Sequence, residues 1–388
     1  MQLRVMARVQ RSELYRTCNC NFISIQNKQT THCVGYTPVP CRTGAERVIA
    51  NRVDDLYAKT ARMAGKVIDV TDKTIQIQYD DGEKVAYQLG RRFGVWAGST
   101  IPHNVVTELK KDEKIRAGDI ICHNTNFFEK DNLDPNQLVM KFGVLGRVAF
   151  LESPHTYEDS CTISPEFAKK LFTTTTHIRT VKVISEQEIR NAMKVGDAVE
   201  VESILCTIEN PSAGNSTLFD EEALATLKLL SSAVPKAKAK GIIERIEVIY
   251  TGDVEDMSPT LQALVEQSDK DIYRLYRQLG KPAVTGQVDV GHRVEGREMG
   301  IDEVAIRYYI TSLVDLNSGD KVVFASQMKS VIGDIMAGEN TSEDGQPLDA
   351  TFSYQSIANR IVNSPELIGT VNTLCLEIGR QALLAYKS

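Results

Sequence analysis

No stretch of this sequence stays apolar for the roughly 18–20 residues that a helix needs to cross a bilayer. The first residues, Met1-Gln2-Leu3-Arg4, carry no signal-peptide apolar core, so a reducing interior is the expected setting. Paired CxxC knuckles are also missing. Cys18, Cys20, Cys33 and Cys41 cluster with His32, but a CxC…HC…C spacing reads as free buried thiols rather than a zinc site. There is no phosphate-binding GxxxxGK[ST] loop and no Ser/His/Asp set, and His32, His103, His123, His155 and His292 show no partner spacing. No Asp-x-Asp-x-Asp run occurs. The nearest approaches, Asp253-Val254-Glu255-Asp256 and Asp269-Lys270-Asp271, read as solvated acids. Nothing repeats and nothing is of low complexity.

A surplus of positive charge is absent too. The net charge is −6, whereas a free nucleic-acid binder is usually basic. Either the chain does not grip nucleic acid alone, or its basic residues are gathered on one face, as in a subunit with an acidic outside and a basic working wall. The 388 residues allow two or three domains. An apolar share of 42% and a charged share of 25% place the chain among ordinary globular proteins.

The pattern along the chain is mainly β. Residues 1–60 mix polar turns with short apolar runs. From Gly65 to Gln88 a hairpin is predicted. Val67, Ile68 and Val70 open it, Ile75, Ile77 and Tyr79 alternate with polar residues, Asp80-Asp81-Gly82 turns, and Val85 and Tyr87 return. Arg116–Ile121 and Val195–Val199 each read as a turn followed by a short strand. Asn210–Ser216 signals a loop, Glu221–Ser232 a helix, and Lys236, Lys238 and Lys240 a solvated basic strip. Ser258-Pro259 starts the clearest helix and Gly280 with Pro282 ends it, with Leu261, Leu264, Val265, Ile272, Leu275, Tyr276 and Leu279 as a packing stripe. Strand-like text returns from Val304 to Ile335.

The chemistry concentrates in the last quarter. Lys321 follows a Ser-Gly-Asp turn, Lys329 stands eight residues on, and Arg360 follows. Two compact, mobile charges and one planar guanidinium fork are what a polyphosphate needs to be held. Glu158 and Asp159 form a second candidate group, flanked by Tyr157 and Ser160.

In context these residues carry a resemblance. Gly319-Asp320-Lys321, Lys329, Asp344-Gly345-Gln346-Pro347-Leu348-Asp349 and Arg360 resemble the catalytic-centre segment of the β subunit of multisubunit RNA polymerases. Tyr157-Glu158-Asp159-Ser160, Ser164, Leu171-Phe172-Thr173-Thr174 and His177-Ile178 resemble that family's "YEDS/FEDS … S … FTT-x-HI" stretch. Arg42-Thr43-Gly44-Ala45-Glu46-Arg47 resembles its "GTG-x-E". The three blocks occur in the family's order and span about residues 15–365. Two departures stand out. The glycine-rich, histidine-containing text between the family's two lysines is replaced by Val322–Met328, and "NPLGVPSR" by Ser353–Arg360.

The resemblance implies an α+β, mainly β fold: a double-psi β-barrel catalytic core with an inserted flap (wall) domain. Its divisions are 1–60 (an N-terminal segment touching the RNA product), 61–180 (first barrel part), 181–300 (flap) and 301–388 (second barrel part, with the lysine pair and C-terminal helices). It also places the turn-strand units at 116–121 and 195–199 beside barrel strands. Lys321, Lys329 and Arg360 are implied to contact the RNA 3′ end and the nucleotide phosphates, and Glu158 and Asp159 to lie near a second Mg²⁺ carried by the nucleotide. Lys28 and Gln29 are implied RNA contacts, on the slighter likeness of Gln26–Gln29 to the family's "QRQ" stretch. Mg²⁺ would be held mainly by aspartates of a β′-like partner, so this chain would be inactive alone. The implied partners are a chain like the β N-terminal half, β′-like chains, DNA template, RNA product and ribonucleoside triphosphates, with no membrane. The chain begins well into the family's second half and ends soon after Arg360. It thus resembles the C-terminal half of a split β subunit, as in giant (jumbo) bacteriophages, working in the infected bacterial host cell or packaged in the virion. The other reading is a non-catalytic scaffold that keeps barrel and flap.

Overall fold

The computed structural model describes residues 2–8, 30–40, 44–96, 98–132, 134–141, 143–210, 233–325, 328–338, 340–359 and 364–387. They are mainly β and divide into two compact units, one of residues 1–83, 88–174 and 313–388, the other of residues 84–87 and 175–312. Among them no helix is long and apolar enough to cross a membrane.

The first unit holds a closed six-stranded barrel. Its strands are β1 (Gln2–Arg8), β2 (Val144–Phe150), β3 (Ser160–Ile163), β4 (Lys321–Phe324), β5 (Met328–Ile335) and β6 (Ala350–Phe352). Around the barrel the order is β1-β2-β6-β3-β5-β4, and β4 pairs back onto β1 to close it. Two of the pairings are parallel, β2 with β6 and β3 with β5, and the other four are antiparallel. Closure leaves no bare edge for another chain to pair with. Val148, Cys161, Ile163, Val322, Phe324, Ile332 and Phe352 belong to one buried core, where the Phe324 and Phe352 rings lie 5.2 Å apart. On the opposite face of β3 and β6, the hydroxyls of Thr162 and Thr351 bond to each other at 2.6 Å.

After β3 comes a short helix, α1 (Pro165–Lys170). Ser164 caps it by accepting from the Phe167 amide, and Pro165 suits the first turn, where its missing N–H costs nothing. α1 buries Phe167 against Gly146 of β2. A Cβ at that glycine would stand 2.5 Å from the Phe167 ring, so only glycine fits.

The predicted hairpin is present as strands Gly65–Val70, Thr74–Tyr79 and Lys84–Gln88. Ile75, Ile77 and Tyr79 are buried as their alternation requires, and the Gly82 amide donates to Tyr79 O to close the turn. The turn-strand units at 116–121 and 195–199 exist, but neither pairs with a barrel strand. Ile120–Asn124 lies in a separate sheet with Ala58–Thr60, Ser99–Val106 and Gly90–Trp96. Ala198–Val199 pairs with the start of Gly241–Tyr250.

In the second unit, Gly241–Tyr250 and Glu303–Val314 form a long antiparallel ladder. The expected helix, α2 (Pro259–Gln278), starts after Ser258 with proline in its first turn, and the chain leaves it at Gly280 with φ 66°. Leu261 and Val265 of its stripe are fully buried with Val248, Ile306, Tyr308 and Ile310, while the stripe's later members are half-buried. Asp269 is not the solvated acid expected. Its carboxylate accepts from the Tyr250 hydroxyl and the Gly286 amide, both at 2.7 Å, and together with burial this pushes the Tyr250 phenol up to about 12. Lys236, Lys238 and Lys240 are exposed around buried Ala237, as a solvated strip should be. The predicted helix at 221–232 lies outside the described residues.

Candidate active site

The turn before Lys321 is pinned from several sides. Gly319 adopts φ 93°, which favours glycine, and its amide donates to Ile332 O at 2.8 Å. The Asp320 carboxylate accepts from the Asn317 amide at 2.8 Å, the Ile332 amide donates back to Asp320 O, and the Ser318 hydroxyl donates to Gly333 O. The Gly-Asp-Lys sequence is thus what folds the chain onto β5 and delivers Lys321 to the first position of β4.

Register then places the second lysine. β4 and β5 pair Lys321 with Val331 and Val323 with Lys329. Lys321 and Lys329 are therefore diagonal neighbours on one face of the ladder, a relation that sets residues about 7–8 Å apart, with their Cβ atoms somewhat closer. The other face, with Val322, Phe324, Met328 and Ile332, packs into the core. Both lysines are half-buried on the barrel's outer face. The departure between them has a structural outcome: Phe324 and Met328 pair with each other and both belong to the buried core.

The acid pair meets the same edge. Glu158 and Asp159 lead directly into β3, which runs parallel to β5 with Ser160 opposite Val331. The Asp159 carbonyl accepts from the Val331 amide at 2.9 Å and from the Ser330 hydroxyl at 2.8 Å. Asp159 is thus held against the residues that follow Lys329. Glu158 has φ 54°, a left-handed conformation unusual for a residue with a side chain, and its carbonyl accepts from the Ser356 hydroxyl. Both carboxylates are exposed. They line a cleft of about 360 Å³ with Glu152, Tyr157, Ser356 and Asn359.

The loop that presents them is organised by Thr156, which sequence reasoning missed. It is fully buried; its hydroxyl donates to Leu151 O at 2.7 Å and accepts from the Ser153 amide at 2.8 Å. A lone threonine in polar text gives no signal of this. Arg360 follows Asn359 but lies outside the described residues, as do Lys28, Gln29, Cys18, Cys20, Cys41, Arg42 and Thr43. Cys33 is a buried thiol.

Other motif residues turn out to be braces. The Asp349 carboxylate accepts from the Arg147 amide at 2.8 Å, and the Arg147 guanidinium reaches Asp344 at 3.0 Å. The Ser342 hydroxyl and Arg147 together hold the Asp344 carboxyl down at about 2. The Thr173 hydroxyl donates to His32 O at 2.6 Å, tying residues 30–37 to the segment after α1. His177 is exposed.

Two exposed carboxylates opening onto a cleft suit a Mg²⁺ ion that keeps waters and arrives with substrate phosphates. Among the described residues no three His, Cys, Asp or Glu side chains could hold a metal by themselves.

Fold and site define a mainly β protein whose closed barrel sets a diagonal lysine pair beside a carboxylate pair. No family model matches the chain. It is similar to bacterial proteins named DNA-directed RNA polymerase subunit beta: 25% identical over 328 residues to that of Alkaliphilus metalliredigens, 23% over 339 residues to that of Corynebacterium glutamicum, and 24% over 332 residues to that of Thermus thermophilus. The matches take in 81–82% of this chain but 24–26% of each relative, so the chain spans about a quarter of the length of the proteins it matches.

Proposed function

We propose that this chain is a β-like subunit of a DNA-dependent RNA polymerase and supplies half of its catalytic centre. The observation that carries this is the register that makes Lys321 and Lys329 diagonal neighbours, with Asp159 bonded to Ser330 and Val331 beside them. Cationic and anionic groups on one barrel edge suit a nucleoside triphosphate whose phosphates travel with a metal ion. Similarity to polymerase β subunits over four-fifths of the chain supports the same reading.

In this reading the barrel is of the double-psi type and residues 181–300 are the flap. Lys321 and Lys329 neutralise phosphate oxygens and hold the RNA 3′ end. Arg360 grips the triphosphate with its planar fork. Glu158 and Asp159 orient the nucleotide through the Mg²⁺ that it carries. Bound Mg²⁺ supplies the charge that activates the attacking hydroxyl and stabilises the leaving pyrophosphate. A β′-like partner contributes the aspartates that hold the catalytic ion, and a chain like the β N-terminal half completes the assembly. Template DNA and RNA product are the remaining partners. The altered text at Val322–Met328 and Ser353–Arg360 suits a giant bacteriophage enzyme, acting in the infected host or carried in the virion.

The test is reconstitution. The tagged chain should co-purify with β′-like chains, and the assembly should extend RNA on a DNA template while the single chain does not. Robust synthesis by the single chain refutes the split-subunit reading. One observation favours a second reading, a scaffold without catalysis: Phe324 and Met328 stand where the family has glycine-rich text. Ribonucleoside-triphosphate crosslinking to the assembly decides between them, since a scaffold gives none on this chain.

A further inference from the structure

The acid pair needs its backbone held, because Glu158 sits in a conformation that survives only where its surroundings over-determine it. A hydrogen-bonded chain from outside the motif does this. The Glu152 carboxylate at the end of the β2 segment accepts from the Ser353 hydroxyl at 2.9 Å and from the Gln355 amide at 2.8 Å. Ser353 is fully buried, and its oxygen accepts from the Ser356 amide at 3.1 Å, capping a five-residue helix, α3 (Tyr354–Ala358). Ser356, also buried, then donates its hydroxyl to the Glu158 carbonyl. The next carbonyl, that of Asp159, is taken by Val331 and Ser330 of β5. Successive carbonyls of the acid pair are thus fastened to different elements, one to α3 and one to the strand that carries Lys329.

We propose that Ser356, and Glu152 behind it, are positioning residues that set the Glu158-Asp159 turn for the nucleotide-borne Mg²⁺; this rests on the polymerase reading above. Glu152 can act at this distance because charge-assisted bonds are the strong ones. Its carboxyl is held below the usual range by the Gln355 amide and then the Ser353 hydroxyl. Neither residue needs to touch substrate. Each acts through the backbone of Glu158.

The test has two readouts. In the purified full chain, with no metal or nucleotide, Ser356→Ala and Glu152→Ala should speed amide hydrogen exchange over residues 155–161 about tenfold, the loss of one net hydrogen bond. Residues 99–106 should be unchanged, and Ser356→Thr, which keeps the hydroxyl, should restore protection. In the reconstituted complex, both alanine variants should raise the Mg²⁺ concentration for half-maximal extension several-fold, with the rate at saturating Mg²⁺ near normal. Glu152 is exposed, so Glu152→Ala carries the test if Ser356→Ala does not fold. Unchanged exchange over 155–161, or an equal rise across the whole barrel unit, overturns the positioning role. If exchange is unchanged while Glu158→Ala impairs extension, this inference falls alone. If exchange rises but Glu158→Ala extends RNA normally, the polymerase role of the acid pair falls, and the inference with it.

Discussion

Replacing Glu158 with glycine should make the protein more stable and less active at once. The residue sits at φ 54°, where a Cβ crowds the backbone at a cost of about 1–2 kcal/mol. Glycine removes that cost but gives the unfolded chain more freedom, which takes back about 0.4–1 kcal/mol. The side chain is exposed, so no burial is lost. The bond from Ser356 goes to the carbonyl, which glycine keeps. The net is a gain of about 0.5–1 kcal/mol. With a urea slope of about 2–3 kcal/mol per molar, the midpoint rises by about 0.2–0.5 M. Trp96, the one tryptophan of the chain, lies in the same compact unit against Phe127 and reports that unit's unfolding by fluorescence. Glu158→Ala keeps the strain and should leave the midpoint near the parent's. Both variants lose the carboxylate and should slow extension by the assembly alike. Higher stability together with slower extension is the signature of strain kept for function. A glycine variant no more stable than the alanine variant refutes the reasoning.

Two further outcomes follow from packing and burial. Gly146→Ala should destabilise the barrel unit by about 1–3 kcal/mol, since the new methyl meets the Phe167 ring; an unchanged Trp96 midpoint contradicts this. Burial pushes His32 and His103 down to about 4 from a usual 6.5, so both stay neutral in the folded chain where the unfolded chain takes up protons. Stability is then complete above about pH 6.5 and falls as pH drops towards 4, whereas Asp344, held near 2, titrates below that window. The Trp96 urea midpoint measured from pH 7 to 4 should decline, with a shallower slope in His103→Gln, and a flat profile refutes it.

The elements that could be read from pattern are those whose signals are local. Ile75, Ile77 and Tyr79 alternate over six residues, and Ser258-Pro259 and Gly280 bracket α2. The barrel has no such signature. β3 and β6 are four and three residues long, and β3 finds its parallel partner some 170 positions away in β5. Periodicity cannot show such pairing, and only the resemblance suggested a barrel. The eight-residue lysine spacing was visible, but its meaning came from register: β4 and β5 pair Lys321 with Val331, which puts Lys329 on the diagonal. Thr156, Ser356 and Glu152 were invisible because each acts through hydrogen bonds that no periodicity or motif marks: Thr156 within its own loop, Ser356 to the distant Glu158 carbonyl, and Glu152 to Ser353 and Gln355 some 200 positions on. Asp344 and Asp349 carried the resemblance yet serve Arg147, since a motif marks what must stay fixed without saying for which purpose. The strands near 116–121 and 195–199 pair away from the barrel because their neighbours in register are Ala58–Thr60 and Gly241–Ile242.

The most direct test of the central claim is single-nucleotide extension by complexes reconstituted with Lys321→Ala, Lys329→Ala or Arg360→Ala. Each charge is proposed to meet phosphate in a partly water-excluded cleft. Removing one should therefore slow extension by roughly 10²–10³, about 2–4 kcal/mol of transition-state stabilisation, with assembly intact. Lys321→Arg should not rescue, because a planar fork replaces a compact donor. Near-normal extension by all three alanine variants would contradict the account and leave the chain a scaffold.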